Sequence, residues 1–529
     1  MRHVENGAQF TVPAAPRCAA NATNAIKCVP GAPATTSGKR YRSAGLIRVA
    51  VAHGPAAYNR SIMNAAPAAS AASPVPGRTL ARDVAEHAAR SPGCTALRLA
   101  DGAFSYRELA DELGRRAGML AAALPERARI VAMTGSAPEL ALAALACPLA
   151  GRAFFPLGPT FADRHWTELQ AQGGERLHRL DRWPTGGTAR QPDAATATSP
   201  ALVIATSGSE GCPKAVVHTH ASLAAAARAS ASLLPLAPGD TWLDCLPLFH
   251  IGGMSILWRA LGAGATVSLH ERFDAGRIWQ EIAAGRVTHI SLVPAMLARL
   301  LDVADTPPPP RLRAALIGGA ALAASLHDRA RAAGWPLYVS YGMSETAAQI
   351  ATLPPGEAWH EGLVGPALPG VDIAIAADGR ICVAGAQMMR GYLAPDDAPG
   401  VGLENGCFRS GDLGRLDAEG RLVVLGRADD MLVSGGENVA PQEIEARLSA
   451  CPGIVDVAVT ATADAVWGDR ITALIVGPAD AAFVDEWCRR HLPSSRRPRH
   501  FVRVPSLPRT PLGKLERTAL RALLANPAP

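Results

Sequence analysis

Directly after the apolar run PALVIA lies a segment that few architectures accommodate, ending in the β-branched run AVVHT: Thr206 to His220, TSGSEGCPKAVVHTH. Gly208 and Gly211 admit backbone angles and close approaches barred to residues with a Cβ, at a folding cost of about 1 kcal/mol each relative to Ala. Thr206, Ser207 and Ser209 add hydroxyl donors and Lys214 adds positive charge, a composition suited to wrapping amides around phosphate oxygens. The pattern is not that of a Walker loop. Its glycine-to-lysine spacing differs, and Ala215 stands where that motif needs a hydroxyl for magnesium. A plain polar turn between two strands is the other reading of the same residues.

At 529 residues and 48% hydrophobic composition, the chain predicts more than one domain and ample buried core. Ten cysteines are scattered without a CxxC pair, metal-like spacing or a secretory signal, which argues against disulfides or zinc and favours a reducing cytoplasm. The net charge of +6 is modest and the arginines are dispersed, so no nucleic-acid partner is implied. The most apolar stretch, about Leu140 to Phe155, is interrupted by Pro148, Gly151 and Arg152. It falls short of a membrane span and reads as a buried helix and turn.

Residues 1–76 are rich in Ala, Pro, Ser and Arg, lack hydrophobic periodicity and carry almost no acidic residue after Glu5. They are expected not to fold. A transit-like leader and an upstream start codon, with Met63 the natural beginning, both fit. From Thr79 onward strands and helices alternate. LARDVAEHAAR has helical spacing, PALVIATSG is a strand feeding the glycine loop, ASLAAAARASASLL is a helix, and THISLVP and RAALIGGA are strands. That alternation predicts α/β layers around a largely parallel sheet. After Gly370, glycine-broken short strands (VDIAIAADGRICVAG, GRLDAEGRLVVLGR) predict an antiparallel β subdomain. From Asp429 a final segment mixes PQEIEARLSAC and FVDEWCRRHL helices with VDVAVTA and ITALIVG strands. The expected organisation is a large domain over 77–428 and a small α+β domain over 429–529.

Further strings follow in order: CLPLFHIGG (245–253), LIGGA (316–320), YGMSET (341–346), FRSGDLG (408–414), GRADDMLVSGGENVAPQEIE (426–445) and PRTPLGKLER (508–517). Together they resemble the adenylate-forming superfamily of acyl-CoA synthetases, peptide-synthetase adenylation domains and luciferases, over roughly Leu80 to Leu520. Such enzymes make an acyl-adenylate from a carboxylic acid and ATP, release pyrophosphate, and pass the acyl group to a thiol. Both steps need preorganised cations and amide donors; losing one such donor costs about 3–4 kcal/mol.

The resemblance implies roles residue by residue. The Thr206–Lys214 loop handles the β- and γ-phosphates and is expected to move; Glu210 departs from the common Thr there. Tyr341 and the Gly318-Gly319-Ala320 turn flank adenine, with Gly342 beside them, and Ser344 donates to the α-phosphate. Glu345, with Thr206, holds Mg²⁺, an ion suited by hard oxygens. Asp412 accepts the ribose hydroxyls and Arg427 lies nearby. Lys514, on the small domain, bridges the carboxylate and the α-phosphate. Asp429 marks the hinge about which that domain swings between half-reactions. Ser434-Gly435-Gly436 opens a pantetheine channel, and Trp467 lies where related aryl-CoA ligases set an aromatic against coenzyme A. The basic run RRHLPSSRRPRH (489–500) either attracts coenzyme phosphates or is a solvated face.

His250 falls at the family's gate between acyl pocket and thiol tunnel. The wording around it, with SLVPAMLARLL and YVSYGMSETAAQIATL, is similar to the o-succinylbenzoate:CoA ligases of menaquinone synthesis; the hinge wording is equally similar to 4-chlorobenzoate:CoA ligase. Gly252, Gly253 and Ser255 are expected to leave room for an aromatic ring. The implied activity is an ATP- and Mg²⁺-dependent acid:CoA ligase on a small aromatic acid. Other aryl- or fatty-acid ligases, a stand-alone enzyme loading a carrier protein, and a silent nucleotide-binding relative are the alternatives. The sequence leaves oligomeric state open.

Overall fold

The computed structural model describes residues 79–189, 196–206, 213–434, 437–464, 467–509 and 515–525. The leader reading for 1–76, Met63 included, lies outside the described residues, as do Ser207, Gly208, Ser209, Glu210, Gly211, Gly435, Gly436 and Lys514.

Two sheets with parallel interiors carry the larger part of the fold. The first runs in the order Gly391–Tyr392, Lys214–Thr219, Pro200–Thr206, Ala153–Pro156, Ile130–Met133, Leu177–Leu180. The second runs Ala348–Leu353, Leu337–Met343, Ala314–Ile317, His289–Leu292, Thr241–Asp244, Thr266–Leu269, Thr95–Leu99, Gly102–Ser105. Among the described residues antiparallel pairing in these sheets appears only toward their edges, as in Leu337–Met343 with Ala348–Leu353. Interior strands such as Ile130–Met133, Thr241–Asp244 and Ala314–Ile317 are buried at every position. Helices cover both faces of such sheets, which is why their sequences read as short continuous apolar runs rather than alternations.

The helices start where side chains can satisfy free amides. Ser105 with Glu108, and Ser136 with Glu139, form reciprocal capping boxes at Tyr106–Ala123 and Ala137–Leu149. Residues Leu140 through Leu149 are all buried, so this helix has no polar face. The expected helix and turn are present, with Gly151 turning the chain at φ 69°, but the stretch runs on into an interior strand, Ala153–Pro156, that the helix-and-turn reading does not contain. Periodicity cannot separate a fully buried strand from a buried helix.

After Gly370 the strands are antiparallel, as expected: Val371–Ile375, Arg380–Gly385, Phe408–Leu416 and Leu422–Arg427 pair in succession, with Leu363–Gly365 at the edge. The C-terminal part is α+β. Asp456–Asp464 and Gly468–Val476 form a long antiparallel pair, flanked by Leu432–Ser434 and by His500–Arg503, the latter parallel. Its core gathers Leu432, Ile444, Leu448, Val459, Ile471, Val484 and Cys488.

Four strands of the second sheet point their C-terminal ends at functional strings: Asp244 leads to the 245–253 segment, Leu292 to Val293, Ile317 to Gly318 and Met343 to Ser344. Ligands of open α/β sheets gather at such ends. Gly342 lets the edge pair close, since a Cβ there would lie 1.6 Å from the Ala348 carbonyl oxygen. Gly342→Ala is expected to lower stability in denaturant titration by about 1–3 kcal/mol. Gly102→Ala, where a Cβ meets nothing within 4 Å, should change it by less than about 0.5 kcal/mol.

Candidate active site

The strand Leu337–Met343 runs into a short turn, Ser344–Thr346, and leaves it through Ala347 and Ala348 at φ 53° and 88°. Residues with a Cβ adopt such angles at a cost, typically about 1–3 kcal/mol each, and only when their surroundings impose them. Here the surroundings do. The Thr346 hydroxyl accepts from the Met343 N–H at 3.2 Å and sits 3.1 and 3.0 Å from the carbonyl oxygens of Met343 and Ala348.

Two other segments pin the turn. His218, on the strand leaving the glycine loop, donates from Nε2 to the Ser344 carbonyl at 2.7 Å, while its Nδ1 lies 3.3 Å from Ser222 Oγ. The carbonyl partner fixes the tautomer. Met389 donates its N–H to the Glu345 carbonyl at 2.8 Å, and the Tyr392 hydroxyl donates to Glu345 Oε1, also at 2.8 Å. Lys214 Nζ lies 5.3 Å from the centroid of the Tyr392 ring. Lys214, Ser344 and Glu345 are thereby brought together. Thr206 joins them, since it pairs in register with Lys214 and its hydroxyl donates to the Lys214 carbonyl at 3.3 Å. The strands on either side of that segment, Pro200–Thr206 and Lys214–Thr219, pair antiparallel.

A second group forms beside it. Parallel pairing of Ile317 with Val339 sets Gly318 against the next strand, and a Cβ on Gly318 would lie 2.9 Å from Ser340 Oγ. Gly319 follows at φ 78°. Tyr341 donates its hydroxyl to Asp412 Oδ2 at 2.6 Å, and Arg427 reaches Asp412 Oδ1 at 3.3 Å and Asp429 Oδ2 at 3.1 Å. Burial, and then the Asp412 carboxylate, hold the Tyr341 phenol well above its ordinary range, so it remains a donor. Tyr341, Asp412, Arg427 and Asp429 are thus one connected chain.

His250 occupies the position just before helix Ile251–Gly262, its ring 4.7 Å from that of Phe249. Of the small neighbours expected to leave room, Gly252 has only a Leu246 methyl carbon 3.5 Å from where a Cβ would stand, but Gly253 and Ser255 are closed in. A Cβ on Gly253 would meet the carbonyl oxygens of Leu246 and Pro247 at 2.8 and 2.9 Å, and Ser255 is buried with its hydroxyl on the Gly252 carbonyl. Glycine at 253 serves backbone approach.

Trp467 lies in the turn just before the strand Gly468–Val476 and is half-buried, with the Arg499 guanidinium 4.5 Å from its ring centroid. Of the basic run, Arg489, Arg490 and Arg496 pair with Asp485, Glu486 and Glu443. Arg499 instead stacks on the indole.

Sequence reasoning alone does not single out Tyr392 or His218. Their contacts to the turn span 47 and 126 residues. The signals present are a tyrosine after glycine in RGYL and a histidine inside the apolar run AVVH.

Residues 165–393 match the AMP-binding enzyme family, and residues 443–514 match the AMP-binding enzyme C-terminal domain. A 2-succinylbenzoate–CoA ligase of Listeria innocua is 38% identical over 329 residues, 62% of this chain and 70% of that protein. The o-succinylbenzoate CoA synthetase (MenE) of Bacillus subtilis in complex with the acyl-adenylate intermediate OSB-AMP superposes with a TM-score of 0.76 at 30% identity, covering 83% of this chain and 97% of that one. The same enzyme in complex with ATP and magnesium ion gives 0.75 at 30% identity, covering 83% and 99%. The chain belongs to the AMP-binding enzyme family.

His218, His220 and His289 are buried, and desolvation pushes each down from 6.5 to about 4. Unfolded, they take up protons near pH 6.5; folded, only near pH 4. The unfolded state therefore binds more protons within that window, and their contribution to stability, complete above about pH 6.5, is lost as pH falls toward 4. Denaturant titrations across the window should show the decline, and His218→Gln should flatten it by about one proton. An unchanged slope would contradict a neutral buried His218.

Proposed function

We propose that this protein is an ATP-dependent acid:CoA ligase that forms an acyl-adenylate and then the acyl-CoA thioester, with o-succinylbenzoate as the acid and menaquinone synthesis as the setting. The observation that carries this reading is the single run Tyr341–Glu345, which joins a carboxylate suited to ribose (Asp412, through Tyr341) to a cation and a carboxylate suited to triphosphate and metal (Lys214 and Glu345). Its likeness to named 2-succinylbenzoate–CoA ligases supports the choice of acid.

In this reading ATP lies across the ends of the second sheet. Adenine sits between Tyr341 and Gly318-Gly319-Ala320, with Gly342 keeping the strand close; the ribose diol adds to the lone pairs of Asp412 left open by Tyr341 and Arg427. Ser344 donates to the α-phosphate, and Lys214 with the loop of Ser207, Gly208, Ser209 and Gly211 holds the outer phosphates. The donor set fits Mg²⁺. That ion commonly binds one or two carboxylates, waters and substrate phosphates; Glu345 Oε2 has no partner among the described residues, and Thr206 offers a hydroxyl. A bound Mg²⁺ would neutralise phosphate charge as pyrophosphate leaves. Lys514 approaches the acid and α-phosphate from the small domain, 429–529, which pivots at Asp429 against the domain 77–428. After adenylation, pantetheine enters past Gly435, Gly436 and His250, with Trp467 and Arg499 receiving the nucleotide end of coenzyme A.

Among the described residues no helix is long and apolar enough to cross a membrane, and the described cysteines are free thiols. We place the enzyme in the cytoplasm, where ATP and coenzyme A are at hand.

A pyrophosphate-release assay over a panel of acids tests the reading. o-Succinylbenzoate should exceed benzoate, 4-chlorobenzoate and a medium-chain fatty acid by about tenfold or more in kcat/KM. Equal rates would remove that acid, and product stopping at acyl-AMP in the presence of coenzyme A would point to carrier-protein loading. Lys514→Ala should slow adenylation by about 10²–10³-fold while sparing conversion of supplied acyl-AMP. Equal losses in both half-reactions would refute the bridging role.

A further inference from the structure

Lys214 and Glu345 are opposite charges on adjoining segments, yet among the described residues neither forms an ion pair. Tyr392 touches both. Its face meets the Lys214 ammonium, 5.3 Å from the centroid, and its hydroxyl takes Glu345 Oε1 at 2.8 Å. We propose that Tyr392 is a positioning residue that keeps this cation and this carboxylate apart and presets both for a metal-bound triphosphate. The inference rests on the roles given above to Lys214 and Glu345.

The phenol can act in this way because its backbone is fixed from both sides. Gly391–Tyr392 pairs antiparallel with the strand that Lys214 begins, through Arg390 N–H to the Val217 carbonyl at 2.8 Å and Leu393 N–H to the Ala215 carbonyl at 2.7 Å. Met389, on the same short segment, holds the Glu345 carbonyl at 2.8 Å. The turn of chain before Tyr392 is equally constrained. Gly391 lies at φ 147°, and a Cβ on it would meet Val401 N and Gly400 N at 2.9 and 3.0 Å.

A free glutamate loses rotamer freedom when it binds a metal. Here one oxygen is already held by the phenol and the other is left open, so that ordering is complete beforehand. Groups that hold a metal ligand from behind typically change metal affinity about 10–100-fold when removed. The ring acts separately, because cation–π contact holds the lysine near the site without neutralising the carboxylate.

Two substitutions separate the ring's effect from the hydroxyl's. Tyr392→Phe keeps the ring and removes the grip on Glu345; Tyr392→Leu removes both. Binding of a fluorescent ATP analogue is followed first in EDTA and then as a function of Mg²⁺, with thermal midpoints recorded alongside. Tyr392→Phe should bind the analogue in EDTA as wild type does, while its half-saturating Mg²⁺ rises by about tenfold or more. Tyr392→Leu should weaken binding under both conditions. A Tyr392→Phe protein with wild-type Mg²⁺ dependence, whatever its thermal midpoint, overturns the proposal. Glu345→Gln distinguishes the levels of failure. If it raises the Mg²⁺ requirement and Tyr392→Phe does not, only the role of Tyr392 falls; if it leaves the requirement unchanged, Glu345 is not the metal ligand and this inference falls with that reading.

Discussion

The turn Ser344–Thr346 is held in a backbone shape that alanines at 347 and 348 would not choose, and the site depends on that constraint. Four hydroxyl, imidazole and amide groups impose it: Thr346 from within, His218 on the Ser344 carbonyl, Met389 on the Glu345 carbonyl and Tyr392 on the Glu345 side chain. Buried hydrogen bonds of this kind add only about 1 kcal/mol each to stability, but leaving one partner unpaired costs about 1–3 kcal/mol. Their joint effect is to remove alternatives. The group proposed to donate to a phosphate and the group proposed to face a metal are delivered in one geometry by strands from both sheets.

The same strand carries the second connection. Tyr341 binds Asp412, Asp412 binds Arg427, and Arg427 also binds Asp429 at the start of the C-terminal part. The Arg427 side chain is 48% exposed, so its ion pairs are worth about 0–1 kcal/mol of stability at most. What the pairs provide is a contact shared between the carboxylate proposed for ribose and the proposed pivot. A nucleotide settling on Asp412 would compete for the arginine that also touches Asp429. Gln442 adds to the junction. Its side chain fills the space that a Cβ on Gly426 would need and donates to Asp430 at 3.5 Å.

The functional strings are legible because each is contiguous: a glycine loop, YGMSET and FRSGDLG carry their chemistry in neighbouring residues whatever the fold around them. The layered α/β class follows from alternation of strands and helices, and the β subdomain from glycine-broken short strands. Less local features stay hidden. His218 and Tyr392 act on a turn 126 and 47 residues away, a relation no spacing rule reveals. The strand Ala153–Pro156 disappears into an apolar run because burial on both faces erases the alternation that marks a strand. Gly253 reads in the sequence as room for a ligand, whereas its purpose is contact with the carbonyls of Leu246 and Pro247. Smallness in a sequence does not say what fills the space.

The most direct measurement is a crystal structure of the protein with ATP and Mg²⁺. The ribose diol is expected on Asp412, the α-phosphate on Ser344, and the metal between Glu345 and the triphosphate, with the Tyr392 hydroxyl still on the far oxygen of that carboxylate. Nucleotide bound away from the Ser344–Thr346 turn, or a metal held with Glu345 turned aside, would contradict that arrangement.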